Sequence, residues 1–230
     1  MAKKKKATKK SSKFGVIASV VTLVLSVLCF VFLATPVVKT VTTLTVLGST
    51  TTRVDQQTAY EYTEYYQEKV EVKNDKGEKV QITRLEKQHK EVKELQDKIK
   101  NSSLSEEKKK EYKKEIKEET TPIRICDTII AVEVIAALAM VASLVAIILF
   151  ALKKNGAAGV LNIIALLAMI AIFIVACIMQ AEVNNYFKFE YSAEELLNIK
   201  TSSIAPALVL VTSLLGTIAS GVFTVLGKKK

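Results

Sequence analysis

The 230-residue sequence predicts a membrane α-helical fold: a four-helix transmembrane bundle with a small α+β extracytoplasmic domain, an antiparallel sheet plus a helical hairpin, between the first and second spans. Three observations predict it. Half of the residues are hydrophobic while 24% are charged, and the two kinds are segregated along the chain. Residues 14–38, 128–152, 157–181 and 201–227 hold no Lys, Arg or Asp, and their one acid is Glu133. The insert 37–127 is polar and changes halfway from strand-like to helix-like patterning. A helix rising about 1.5 Å per residue needs roughly 20 residues to cross a hydrocarbon core of about 30 Å, so each apolar run suffices.

Taken in order, residues 1–13 form a basic tail, and 14–36 form the first span. Although it follows lysines, this apolar run exceeds the roughly 7–15 residues of a signal-peptide core, so it is expected to remain as an anchor. Within the insert, KTVTTLTVL, TAYEYTEYY, EKVEV and KVQIT read as three or four antiparallel strands over about 39–84, from their β-branched and aromatic content. Asn74-Asp75-Lys76-Gly77 reads as the turn of a hairpin between Val70/Val72 and Val80/Ile82. From about 85 to 119 the period becomes helical: Leu85, Val92, Leu95 and Ile99 share a face, and Glu86–Lys90 and Glu94–Lys98 are spaced to pair. Asn101-Ser102-Ser103 breaks that helix, and the capping-box spacing Ser103 to Glu106 starts a second, weakly amphipathic one through Tyr112 and Ile116.

The second span covers 128–152, a tight turn 153–156, the third span 157–181, the second outer loop 182–200, the fourth span 201–227, and a tail 228–230. In the turn, Gly156 is expected to end one helix or to reverse the chain. In the second loop, NNYFKFEYS reads either as a short strand extending the sheet or as an aromatic belt at the membrane interface. Pro206 falls in the first turns of the fourth helix, where proline is tolerated.

Charge sets the orientation. The N-terminal tail, the turn at Lys153-Lys154 and the tail Lys228-Lys229-Lys230 carry lysines and no acid, and with four crossings they share one side. By the positive-inside rule that side is cytoplasmic, which places the protein in the plasma (cell) membrane with both termini inside. The net charge of +10 therefore lies beside the membrane, where it orients the chain and attracts anionic lipid of the inner leaflet. No nucleic-acid partner is expected, since the insert is nearly neutral.

The order of elements resembles the claudin, peripheral-myelin-protein and calcium-channel γ-subunit group: four spans, a large first outer loop bearing a sheet, a minimal inner loop and a shorter second outer loop. That group's first-loop tryptophan and cysteine pair have no counterpart, because the chain has no Trp and its insert holds only Cys126. No residue role carries across. The chain also looks like bacterial ABC-transporter permeases with an outer domain after the first of four helices, yet its inner turn is too short to engage an ATPase.

Candidate functional residues are few. The chain's one His, His89, excludes His-rich metal sites and His-based triads within one chain, and it reads as a helix-surface residue. Phosphate-loop, dinucleotide, nucleophile-elbow and zinc-hydrolase motifs do not occur, so no enzyme activity, cofactor or metal is expected. Glu133 inside a span is the sharpest feature: it serves either packing near the outer interface or a proton or cation pathway, with Gln180 or hydroxyls of the fourth helix as partners. Cys126 reads as a free interfacial thiol, a crosslink between subunits or a partner for Cys177. Ala136, Ala139, Ser143 and Ala146 on the second span, and Ser213, Gly216 and Ser220 on the fourth, form small-residue faces for close helix packing. Tyr60, Tyr62, Tyr65, Tyr66, Phe187 and Phe189 are candidate outer contacts. These readings predict a non-enzymatic membrane protein that acts through its outer domain as an adhesion, scaffold or accessory subunit, toward an unidentified protein or a second copy. The alternative is a transport component that uses Glu133.

Overall fold

The computed structural model describes residues 2–46, 49–73, 77–101, 104–190 and 198–228. The chain divides into two compact units, one of residues 1–35, 130–178 and 205–230, the other of 36–129 and 179–204.

The first unit is helical. It contains α1 (Ala2–Leu33), α6 (Ala205–Lys228) and the apolar parts of α4 (Glu106–Ala151) and α5 (Asn155–Glu190). Among the described residues, these four helices are long and apolar enough to cross a membrane, which makes this a multi-pass membrane protein. Their large apolar side chains also face outward: Val24, Val31, Leu138, Val141, Leu167 and Leu215 are all exposed, the reverse of a soluble core. Inside, α1 buries Ala18, Ser19, Thr22, Ser26, Cys29 and Leu33, a seam at helical spacing. Thr22 meets Ser220 of α6 through their hydroxyls, and Ser19 Oγ reaches Asn162 Oδ1 of α5. Asn162 Nδ2 donates to Gly15 O at 2.9 Å, and Ser26 Oγ approaches Met169 Sδ at 3.5 Å. In lipid, where apolar burial gives no net drive, such bonds and close backbone approach hold helices together. Gly15 meets the tip of the Phe150 ring, where an added methyl group would overlap it.

The Lys153-Lys154 turn is tighter than its glycine suggested. Lys153 takes the left-handed conformation (φ 62°), with Lys154 N bonding Leu149 O and Lys153 N bonding Phe150 O, and Gly156 already belongs to α5.

The second unit carries two antiparallel sheets. β1 (Pro36–Val46) is central in the order β2-β1-β5, pairing β2 (Ser49–Thr58) with Val41 opposite Val54, and β5 (Asn198–Ser202) with Lys39 opposite Ser202. β3 (Lys69–Lys73) and β4 (Lys79–Thr83) form the expected hairpin, Val70 facing Ile82 and Val72 facing Val80; Asn74, Asp75 and Lys76 lie outside the described residues. The alternation that predicted it is visible in the half-buried valines and exposed neighbours.

Several expectations fail here for local reasons. TAYEYTEYY is not a strand but α2 (Ala59–Gln67), because Thr58 and Glu61 close a capping box: Thr58 N donates to the Glu61 carboxylate at 2.8 Å, and Glu61 N to Thr58 Oγ1 at 3.2 Å. The strand instead lies upstream, in STTTRVDQQT. A second box, Thr83 with Glu86, starts α3 (Arg84–Asn101). Glu86 is thereby committed to the backbone, and Lys87 pairs with Glu91 along this helix at 3.6 Å. Ser105 caps α4, its Oγ accepting from Lys108 N at 3.4 Å; Ser103 lies outside the described residues. The expected second helix of the hairpin is no separate element: α4 runs unbroken from Glu106 through Pro122 to Ala151. Of the two readings of NNYFKFEYS the strand fails, since NNYFKFE is the last part of α5, and the strand that does extend the sheet is NIKTS, from the end of the second outer loop and the first two residues of the expected fourth span. Pro206 sits in the first turn of α6.

Candidate functional site

The residues with unusual surroundings collect in the sheet-bearing unit around α2. The Thr58 box fixes the phase of that helix, which turns Ala59, Tyr62 and Tyr66 inward at the spacing of one helical turn, while Tyr60 and Tyr65 stay more than 40% exposed. Tyr62 is 2% exposed, with its ring 5.0 Å from that of Tyr66. Burial raises the Tyr62 phenol well above its ordinary range and pushes Tyr66 up to about 12, so both remain neutral hydroxyls. Tyr62 is therefore a core residue and no outer contact. Its hydroxyl lies among those of Tyr66 and Tyr186 and the Cys126 thiol, with the Tyr66 hydroxyl in hydrogen-bonding reach.

The first turn of α3 adds Arg84, whose guanidinium stacks over the Tyr65 ring at 4.4 Å and pairs with Glu68 at 2.9 Å. One turn on, Gln88 Nε2 donates to Glu119 Oε2 of α4 at 3.5 Å, while Gln88 Oε1 is buried with no partner. Burial first, then the neighbouring Glu91, Glu115 and Glu118, raises the Glu119 carboxyl above its usual value. These side chains border two cavities of about 350 and 320 Å³. The first is walled by Tyr66, Gln88, Glu118, Glu119, Thr121, Pro122 and Tyr186. The second shares Tyr66, Gln88 and Glu119 and extends to Val70, Val72, Arg84, Lys87 and Glu91. Among the described residues no group of three His, Cys, Asp or Glu could hold a metal ion.

Other candidates fall elsewhere. Glu133 is half-buried in α4 within the helical unit. Gln180 belongs to the sheet-bearing unit, where its Nε2 donates to Asn184 Oδ1 at 3.2 Å and Ser203 Oγ at 3.0 Å. Cys29, Cys126 and Cys177 are free thiols; Cys126 is 1% exposed, which removes it from reach of a crosslink between subunits. Ala136, Ala139, Ser143 and Ala146 are fully buried, as are Ser213 and, to within 1%, Ser220. Gly216 packs against Met169 and Leu25. Phe187 is half-buried edge-on to Tyr186, at 6.2 Å between ring centres; the side chain of Phe189 lies outside the described residues. His89 is exposed on α3.

Sequence reasoning missed Gln88 and Glu119, which carry no motif, and the Arg124–Glu182 pair, and it read Tyr186 as part of a strand or an aromatic belt. Arg124 Nη1 holds Glu182 Oε1 at 3.0 Å, with Glu182 only 7% exposed. It also passed over Ser19, Thr22, Ser26 and Asn162, although hydroxyls at i, i+3 and i+7 in an apolar run are a legible packing signal.

A family model described as a protein of unknown function (DUF2721) matches residues 80–185, which run from β4 through α3 and α4 to α5. No curated protein and no solved structure matches.

Proposed function

We propose that this is a non-enzymatic protein of the cell membrane, with both ends in the cytoplasm and its sheet-bearing unit outside, which acts by protein contact through that outer unit. The observation that carries this reading is the edge strand β2. Among the described residues it pairs with β1 on one side alone, and from Thr50 to Gln57 its side chains are exposed, Val54 and an Arg53–Asp55 pair at 2.9 Å included. An open edge of ten residues offers a row of backbone donors and acceptors to an added strand. An adhesion, scaffold or accessory role fits it, and the claudin-like order of elements agrees. Crosslinking in intact membranes with mass-spectrometric mapping tests the proposal. Links from 49–58 to another protein or a second copy are expected, and Val54→Lys should remove them by placing a charge on the edge. Links confined to the spans, or unchanged by Val54→Lys, overturn it.

A second reading, a transport component, is favoured by the buried polar line Ser19, Thr22, Ser26, Asn162 and Ser220 together with Glu133. Ion flux in proteoliposomes that Glu133→Gln abolishes would establish it.

A further inference from the structure

The cavity between α2, α3, α4 and α5 combines three features that point to one kind of ligand. Its walls are two tyrosine rings, Tyr66 and Tyr186, whose faces attract cations. Glu119, and Glu118 that pairs with Lys114 at 3.5 Å, supply carboxylates, and among the described residues no basic side chain lines it. One buried oxygen of a lining residue lacks a partner: Gln88 Oε1, which can only accept. A buried acceptor left unpaired is costly, so Gln88 Oε1 marks where a donor is missing.

We propose that this cavity binds a small organic ammonium ion. The N–H groups of a primary ammonium satisfy Gln88 Oε1 and the Glu119 carboxylate together, while its alkyl part lies against Tyr66, Tyr186 and Pro122. At about 350 Å³ the cavity is at the lower end of small-molecule sites, which limits the ligand to metabolite size. Two rival chemistries fit less well. An anion would face Glu118 and Glu119, and the cations of the adjoining cavity are already paired, Arg84 with Glu68 and Lys87 with Glu91. A hard divalent metal takes roughly six to eight oxygen ligands, and among the described residues no group of three His, Cys, Asp or Glu could hold one. The site is independent of the contact role assigned to β2, whose residues do not line it.

Calorimetric titration of the full chain in detergent tests the assignment, with putrescine and choline as cationic probes and glutamate as the anionic control. Saturable binding of putrescine is expected, with glutamate inert, and Glu119→Gln should weaken it by at least about tenfold, the size of one lost charge-assisted hydrogen bond. Gln88→Leu, which keeps the side-chain volume but removes the acceptor, should weaken it likewise. If Glu119→Gln fails to fold, Gln88→Leu alone carries the readout. Saturable binding of choline but not putrescine would support the aromatic wall and reassign Gln88 to packing. No saturable heat with either cation at millimolar concentration, equal binding of glutamate, or unchanged affinity in both Glu119→Gln and Gln88→Leu overturns the proposal.

Discussion

Lys153 holds a left-handed backbone (φ 62°) that costs a side-chain-bearing residue about 1–2 kcal/mol, and the two bonds of the helix cap, Lys154 N to Leu149 O at 2.9 Å and Lys153 N to Phe150 O at 3.0 Å, require it there. The neighbouring Gly156 draws attention in the sequence because glycine takes that conformation freely, yet Asn155 already begins α5, so the glycine is spent on a helical turn. Lysine at a strained position is explained if its charge is wanted where the chain reverses. Lys153→Gly is accordingly expected to raise stability by about 1 kcal/mol, measured as the thermal midpoint in detergent. No gain, or a loss, would mean that the Lys153 side chain contributes more to the fold than its backbone strain removes. Tyr62 teaches a similar lesson at the same scale. Its neighbours Tyr60 and Tyr65 share its chemistry, and only the phase of α2 separates the buried ring from the exposed ones.

At the scale of elements, α2 and the end of α5 show where propensity gives way. TAYEYTEYY alternates aromatic and acidic residues as a half-buried strand would, but Thr58-x-x-Glu61 satisfies two orphan backbone donors at once, and Tyr62 and Tyr66 then stack one turn apart. The box also lowers the Glu61 carboxyl, because Thr58 N and Oγ1 bond its charged form. Thr58→Ala should cost about 1 kcal/mol, in the range of a lost N-cap, and should selectively speed hydrogen exchange of the α2 amides. Equal protection of α2 in the variant would show that packing of Tyr62 alone holds the helix. The hairpin β3–β4 and helix α3 were legible because their signals are local: period-two valines around a turn ending in Gly77, then Leu85, Val92 and Leu95 on one face. NNYFKFE was not, because aromatic residues also suit a helix that continues from an apolar span, and only the continuation of α5 decides between them.

For the whole molecule, the proposed orientation makes a prediction that charge alone motivates. In a variant with its three cysteines replaced, Gln96→Cys on the exposed face of α3 should react with an impermeant maleimide in intact cells, whereas Lys154→Cys should react only after permeabilisation. The opposite pattern would invert the topology and, with it, the placement of β2 and of the tyrosine-walled cavity outside the cell.

The sequence by itself determined the four long apolar helices, the small-residue faces and the separation of a polar insert from them. Transfer of a segment into lipid is nearly a sum over its own residues and needs no knowledge of neighbours. Only the tertiary structure decided that β5 pairs with β1 across more than 150 residues of chain, that α4 is continuous through Pro122, and that Tyr66, Gln88, Glu119 and Tyr186 border one cavity. Those outcomes depend on which distant groups meet, and the free energy of such a meeting is a property of pairs that no single segment carries.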